Sequence, residues 1–182
     1  DSMKTALVLV DIQNDYFAGG KMELSGSLEA GRAAAQALAV FREKGWPVFH
    51  IQHLAIKPGA TFFIPGTAGA EIHPFVAPSP TEAVIQKNFP NSFRNTDLLE
   101  KLREQNIERI VVAGMMTHMC IDTTVRAAFD LGFSCILLHD ACATRDLTFG
   151  ERTVAAADVH SAFMSALGAA FAQVQSTGEL VL

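Results

Sequence analysis

Apolar and polar positions along the chain alternate between two periods. Residues 5–10 (TALVLV) form a near-continuous apolar, β-branched run, which predicts a strand buried on both faces. Ala30, Ala33, Ala34, Ala37, Leu38 and Phe41 then recur at helical spacing and form one stripe of a helix that Gly45 ends. Residues 47–52 predict a second strand and residues 83–86 a short third. A helix follows over 95–105, capped by Asn95 or Thr96, with Leu98, Leu99 and Leu102 on its inner face. Residues 109–113 predict a fourth strand, 120–131 a helix stopped by Gly132, and 134–138 a fifth strand. Thr148 and Glu151 stand at capping-box spacing before a last long helix that turns Val154, Ala157, Phe163 and Leu167 inward. Residues 171–175 read as a sixth, edge strand.

Strands alternating with helices predict parallel βαβ units. With right-handed crossovers these give an α/β fold, a three-layer αβα sandwich around a mostly parallel six-stranded sheet. Residues 53–81 break the rhythm. They hold five of the seven prolines (Pro58, Pro65, Pro74, Pro78 and Pro80) and also Phe62 and Phe63, which are costly to leave in water. A loop of that length is expected to act as a lid or a subunit contact.

Composition narrows the function. The 182 residues fit one domain, and 49% hydrophobic against 18% charged residues supply a core without a signature of disorder. A net charge of −5 argues against nucleic acid as a partner. No apolar run approaches the roughly 20 residues of a membrane span, and the start lacks the pattern of a secretory signal. Asp1 and Ser2 precede Met3, an order expected of a cloning leftover, so residues 4–182 are read as the single domain. Three cysteines without a CxxC suit the reducing cytoplasm.

Ligands of open α/β sheets bind beyond the carboxyl ends of the strands. Asp11 follows the first predicted strand, Lys87 the third, and residues 114–120 lead from the fourth into a helix beginning near Cys120. Singly, Asp11 reads as a turn cap, Lys87 as a solvated charge and Cys120 as a small core residue. Together they supply an acid, a cation and a thiol at three strand ends. A thiol at a helix N-terminus has its thiolate stabilised by free N–H groups and the helix dipole, and a nearby ammonium adds to this. A carboxylate can take the thiol proton and return it to a leaving group, work worth ~10²–10⁴-fold.

The segments VDIQNDYF (10–17), VIQK (84–87), AGMMTHMCIDTTVRAA (113–128), GTAGAEIHP (66–74) and DAC (140–142) together resemble the isochorismatase-like cysteine hydrolases of the nicotinamidase/isochorismatase superfamily. The likeness runs from about Lys4 to Leu182 and implies that family's Rossmann-like topology. It also implies a triad in which Cys120 attacks a carbonyl, Asp11 moves the proton, Lys87 holds the pair and a thioester is hydrolysed by water. A cis peptide bond at Met115–Met116 would aim the N–H of Met116, with that of Cys120, at the developing oxyanion. Tyr16 stands where the family has an aromatic lining the substrate pocket.

Members that cleave the vinyl ether of isochorismate lack the cysteine, so its presence favours amide-type hydrolysis. Nicotinamidases bind a metal through Asp-x-His, but no Asp lies between Pro47 and Gly69, and His50 and His53 would point to opposite faces of a strand. No metal and no cofactor are therefore expected.

The expected function is cysteine-dependent hydrolysis of a small amide or carbamoyl compound by a homodimer or homotetramer, an assembly with which the mean hydropathy of +0.24 agrees. Rival readings are an ether-cleaving hydrolase using Asp11 without the thiol, an idle binding protein on the same fold, and a redox role for Cys120. Cys135 and Cys142 read as structural and His118 as pointing at a neighbour, while His139 and Asp140 offer a rival Cys-His-Asp set. Dinucleotide, P-loop and serine-hydrolase motifs are absent from the sequence.

Overall fold

Leu7 and Leu9 pack on one face of the first strand while Ala6, Val8 and Val10 pack on the other, so the pleat itself sorts the core into two layers. The computed structural model describes residues 3–180. It has six parallel strands: β1 (Thr5–Val10), β2 (Val48–His53), β3 (Ala83–Lys87), β4 (Arg109–Met115), β5 (Ser134–Ala143) and β8 (Gln173–Gln175), in spatial order β3-β2-β1-β4-β5-β8. β6 (Leu147–Phe149) and β7 (Arg152–Val154) pair separately and antiparallel. The helices are α1 (Ser27–Lys44), α2 (Leu98–Glu104), α3 (Asp122–Asp130) and α4 (Ala156–Ala170).

One sheet face meets α1 through Ala30, Ala34, Ala37, Leu38 and Phe41. The other meets α2 through Leu98 and Leu102, α3 through Val125 and Ala128, and α4 through Met164 and Leu167. The sandwich is thus uneven, with one long helix opposite three, and Tyr16, Phe63 and Val76 complete the α1 side. Gly45 closes α1 in the left-handed region at φ 68°, as its position after the apolar stripe implied.

Several boundaries differ from the sequence reading. Thr148 and Glu151 do not open the last helix. Residues 147–154 form a hairpin around Gly150 at φ 62°, with Thr148 opposite Thr153. α4 begins at Ala156, whose N–H donates to Asp146 Oδ1 at 2.8 Å, so a residue before the hairpin does the capping. Val154 and Ala157 are accordingly exposed and only Leu167 of the four expected residues is fully buried, since the late start rotates the stripe onto Val159 and Met164. α2 starts at Leu98 rather than Asn95, which sits in the left-handed region at φ 54°. β5 runs to Ala143, five residues beyond its expected end. Its register jumps from Val112↔Leu137 to Gly114↔Cys142, a bulge that an apolar run alone does not announce. Among the described residues no helix is long and apolar enough to cross a membrane. Of the leftover expected at residues 1–3, residues 1–2 lie outside the described residues, as do residues 181–182 at the end of the domain.

Candidate active site

Strand order reverses between β1 and β4, and the candidate residues gather at the carboxyl ends on either side of that point. Val10 pairs with Gly114, where a Cβ would run into the Val10 carbonyl, so only glycine lets the two strand ends meet. Asp11 leaves β1 in the left-handed region at φ 53°, its N–H donating to the Ile51 carbonyl at 3.0 Å. A non-glycine residue held there costs on the order of 1–3 kcal/mol, which the surroundings must impose. Lys87 is the last residue of β3 rather than the first beyond it. Cys120 lies within a π-helical turn, Thr117–Ile121, that runs into α3; the helix expected to begin at Cys120 begins two residues later.

The three side chains converge. Lys87 Nζ donates to Asp11 Oδ2 at 2.8 Å and to Cys120 Sγ at 3.4 Å. Its third donor direction meets His53 Nδ1 at 2.8 Å. Asp11, Lys87 and Cys120 are 0%, 1% and 6% exposed, so this charged cluster is sealed from bulk water. Asp11 Oδ1 is buried and has no hydrogen-bond partner among the described residues. Burial alone would lower the Lys87 proton affinity, but the Asp11 carboxylate and Cys120 outweigh it and hold the ammonium above its ordinary value. Burial, and then the Asp11 charge, push the Cys120 thiol well up; Lys87 opposes this and does not win. Against the sequence reading of a stabilised thiolate, burial and the Asp11 charge favour the protonated sulfur by more than the one ammonium returns.

His53 is the member that sequence reasoning missed. It pairs in register with Lys87 across β2 and β3, and neighbours in register share a sheet face. Aligning the ends of the two predicted strands would have found it. Burial and the Lys87 charge lower its proton affinity, which keeps the ring neutral with Nδ1 as acceptor. Asp11, His53 and Cys120 offer ligand atoms within 4.8 Å of one another. These are the three groups that Lys87 Nζ contacts, so the lysine ammonium already holds the position a metal ion would take, and the set does not fit one. His50 is engaged elsewhere, its Nε2 2.8 Å from Glu82 Oε1, and Glu82 is also bound by Arg42.

Tyr16 is buried, with its ring 4.6 Å from Phe63 and 6.0 Å from Phe62. Burial raises its hydroxyl well above the ordinary value, and Cys120 and Asp11 add to this. The proline-rich segment is pinned over it by Asp15, whose Oδ2 accepts from the Phe63 N–H at 2.8 Å. Met116 precedes the turn that follows β4 and Cys120 lies within it, and the Met115–Met116 peptide bond is cis.

The other candidates stand apart from the sulfur. His118 Nδ1 is 2.7 Å from Thr144 Oγ1. Asp140 accepts from the N–H and hydroxyl of Thr177. Cys135 is buried with its thiol directed at the Phe133 carbonyl. Cys142, expected to follow β5, lies inside that strand and is buried.

Comparison with known proteins bears on the family and the fold. The family model described as the isochorismatase domain matches residues 5–179. An uncharacterized isochorismatase family protein of Bacillus subtilis, YddQ, is 50% identical over 96% of this chain and 97% of its own. A solved structure from Oleispira antarctica, provisionally named an isochorismatase hydrolase, is 50% identical, covering 98% of this chain and 96% of that one, with a TM-score of 0.93. Nicotinamidase 3 of Arabidopsis thaliana is 27% identical over 85% of this chain and 80% of its own.

Proposed function

Since the chain belongs to the isochorismatase family, we propose that it is a cysteine-dependent hydrolase of a small amide or carbamoyl compound. The observation that carries this reading is Lys87 Nζ standing 2.8 Å from Asp11 Oδ2 and 3.4 Å from Cys120 Sγ in a sealed cluster. The unpartnered Asp11 Oδ1 accepts the thiol proton as Sγ attacks the carbonyl carbon. The oxyanion is received by the backbone N–H groups of Met116 and Cys120. Asp11 then gives the proton to the leaving nitrogen, the C–N bond breaks, and a thioester remains. Water, deprotonated by Asp11, adds to the thioester. The C–S bond breaks and the sulfur recovers its proton from Asp11. Lys87 stays charged throughout and Tyr16 lines the pocket. That one relative is a nicotinamidase supports C–N hydrolysis as the chemistry.

The test is ammonia release from small amides, ureido acids and carbamates by the parent and by Cys120→Ala. Release by the parent that disappears in the variant is the expected result. Release that survives the loss of sulfur would overturn the thioester route and favour direct attack by water with Asp11 as base.

A further inference from the structure

The turn that carries the sulfur has two polar side chains besides the cysteine, and each is tied to a group outside it. His118 is held by Thr144, 2.7 Å away. Thr117 is held by His160 of α4, whose Nδ1 lies 2.8 Å from the Thr117 hydroxyl. Thr117 is fully buried, and among the described residues its hydroxyl has no other partner. It follows Met116 directly and precedes Cys120 by three residues, so it sits between the two residues whose N–H groups are assigned to the oxyanion.

The histidine occupies a costly place. His160, Met164 and Leu167 stand at i, i+4 and i+7 of α4, and Met164 and Leu167 belong to the core. His160 therefore puts a polar ring in a core-facing position that an apolar side chain would fill without needing a partner. The turn needs such support. A π-helical turn is rare, and turns of this kind concentrate at functional sites. Its own bonds converge on the Met116 carbonyl, which accepts from the N–H of Met119 at 3.1 Å and of Ile121 at 3.2 Å. Among the described residues no backbone hydrogen bond joins the turn to α4, so the Thr117–His160 bond makes that connection through side chains.

The direction of the bond follows from the state of the ring. Burial lowers the proton affinity of His160 and the neighbouring His139 adds to this, which keeps the ring neutral. The His139 backbone acts the other way, as a carbonyl does when it accepts a ring N–H. With Nδ1 turned to Thr117, that N–H is on Nε2. Nδ1 is then the acceptor and the Thr117 hydroxyl the donor, and the ring spans from β5 to the turn.

We infer that His160 is a positioning residue, which by accepting from the Thr117 hydroxyl fixes the turn whose Met116 and Cys120 N–H groups receive the oxyanion. This rests on the proposed thioester chemistry and extends it to a side chain that touches no reacting atom.

Two probes of Cys120 separate this role from a merely structural one. Attack on p-nitrophenyl acetate develops an oxyanion before the C–O bond breaks and p-nitrophenolate leaves, which is read as a burst of colour. Alkylation by iodoacetamide, in which sulfur displaces iodide, develops none. Mass spectrometry and the Cys120→Ala variant verify that both reagents report on Cys120. Thr117→Val and His160→Leu are expected to slow acylation about tenfold to a hundredfold, the scale of a reacting geometry displaced by about 1 Å. Alkylation should keep its parent rate. The double variant should be no slower than the slower single, because both changes remove the same bond. Thr117→Ser, which keeps the hydroxyl, and His160→Asn, whose Oδ1 replaces Nδ1 as acceptor, should recover most of the acylation rate. Circular dichroism reports folding, and if His160→Leu does not fold, Thr117→Val against Thr117→Ser decides. Acylation at the parent rate in Thr117→Val overturns the inference, and so does an equal loss of acylation and alkylation. A parent that is alkylated at Cys120 but never acylated there sinks the cysteine-hydrolase reading itself, and the role of His160 falls with it.

Discussion

Replacing Lys87 by Met isolates the electrostatics of the site. In the parent, Lys87 Nζ and Asp11 Oδ2 are 2.8 Å apart with both side chains fully buried. Removing the ammonium leaves a buried carboxylate without its ion-pair partner. Breaking a buried pair in this one-sided way costs about 3–5 kcal/mol. Asp11→Asn alone should cost a similar amount, because it strands the ammonium. The double variant loses the pair but strands no charge, so its cost should fall below the sum of the singles by at least ~2 kcal/mol, well beyond the roughly 0.5 kcal/mol within which independent sites add. Urea denaturation of the four proteins at neutral pH gives the cycle. The pH dependence supplies a second readout. Lys87 has its proton affinity raised by folding, so its contribution is complete below the ordinary lysine range and is lost as pH rises through the folded value. The parent should therefore lose stability at strongly alkaline pH more steeply than the double variant. Additive single costs, or equal alkaline slopes, would refute the claim that a sealed ion pair organises the site.

Two further outcomes follow from other residues. Glu82 accepts from Arg42 and the Ser79 N–H and is joined to His50, and these bonds, Arg42 first, lower its carboxyl to about 2 against burial. A depressed acid stabilises the fold above its unfolded value and loses that contribution as pH falls through the folded one. Stability should thus drop by a few kcal/mol between about pH 4.5 and 2, and Glu82→Gln should flatten that drop in acid denaturation followed by circular dichroism. Phe149 is 90% exposed at the hairpin, where a homo-oligomer of the kind expected from the sequence would cover it. Phe149→Asp is expected to lower the mass seen by light scattering, and an unchanged mass would remove the hairpin from the interface.

The parts legible in the sequence are those that local chemistry dictates. The runs TALVLV and RIVVA had to be strands buried on both faces, and their ends located Asp11 and the turn carrying Cys120. Lys87 was found because a strand end is a position rather than a contact. What stayed hidden depends on distant partners. The capping of α4 by Asp146 spans ten residues and a hairpin, so Thr148 and Glu151 imitated a start signal that the chain does not use. The long β5 follows from a bulge set by pairing with Gly114. His53 joins the cluster only through its register with Lys87.

The state of the sulfur is where sequence logic and structure part, and the difference has a consequence. Helix dipole and ammonium both argue for a thiolate, yet each was weighed without the cost of taking charge out of water. In the sealed cluster, Asp11 as carboxylate and Lys87 as ammonium cancel, while a neutral His53 and a neutral Cys120 add nothing. Ionising the thiol to solvent would leave one uncompensated negative charge at a position 6% exposed. Passing the proton to Asp11 Oδ1 keeps the net charge unchanged, since one anion is exchanged for another within reach of the same ammonium. On the proposed route the nucleophile is therefore generated by internal transfer as the carbonyl arrives. Burial and the Asp11 charge favour the thiol until then, against the pull of Lys87.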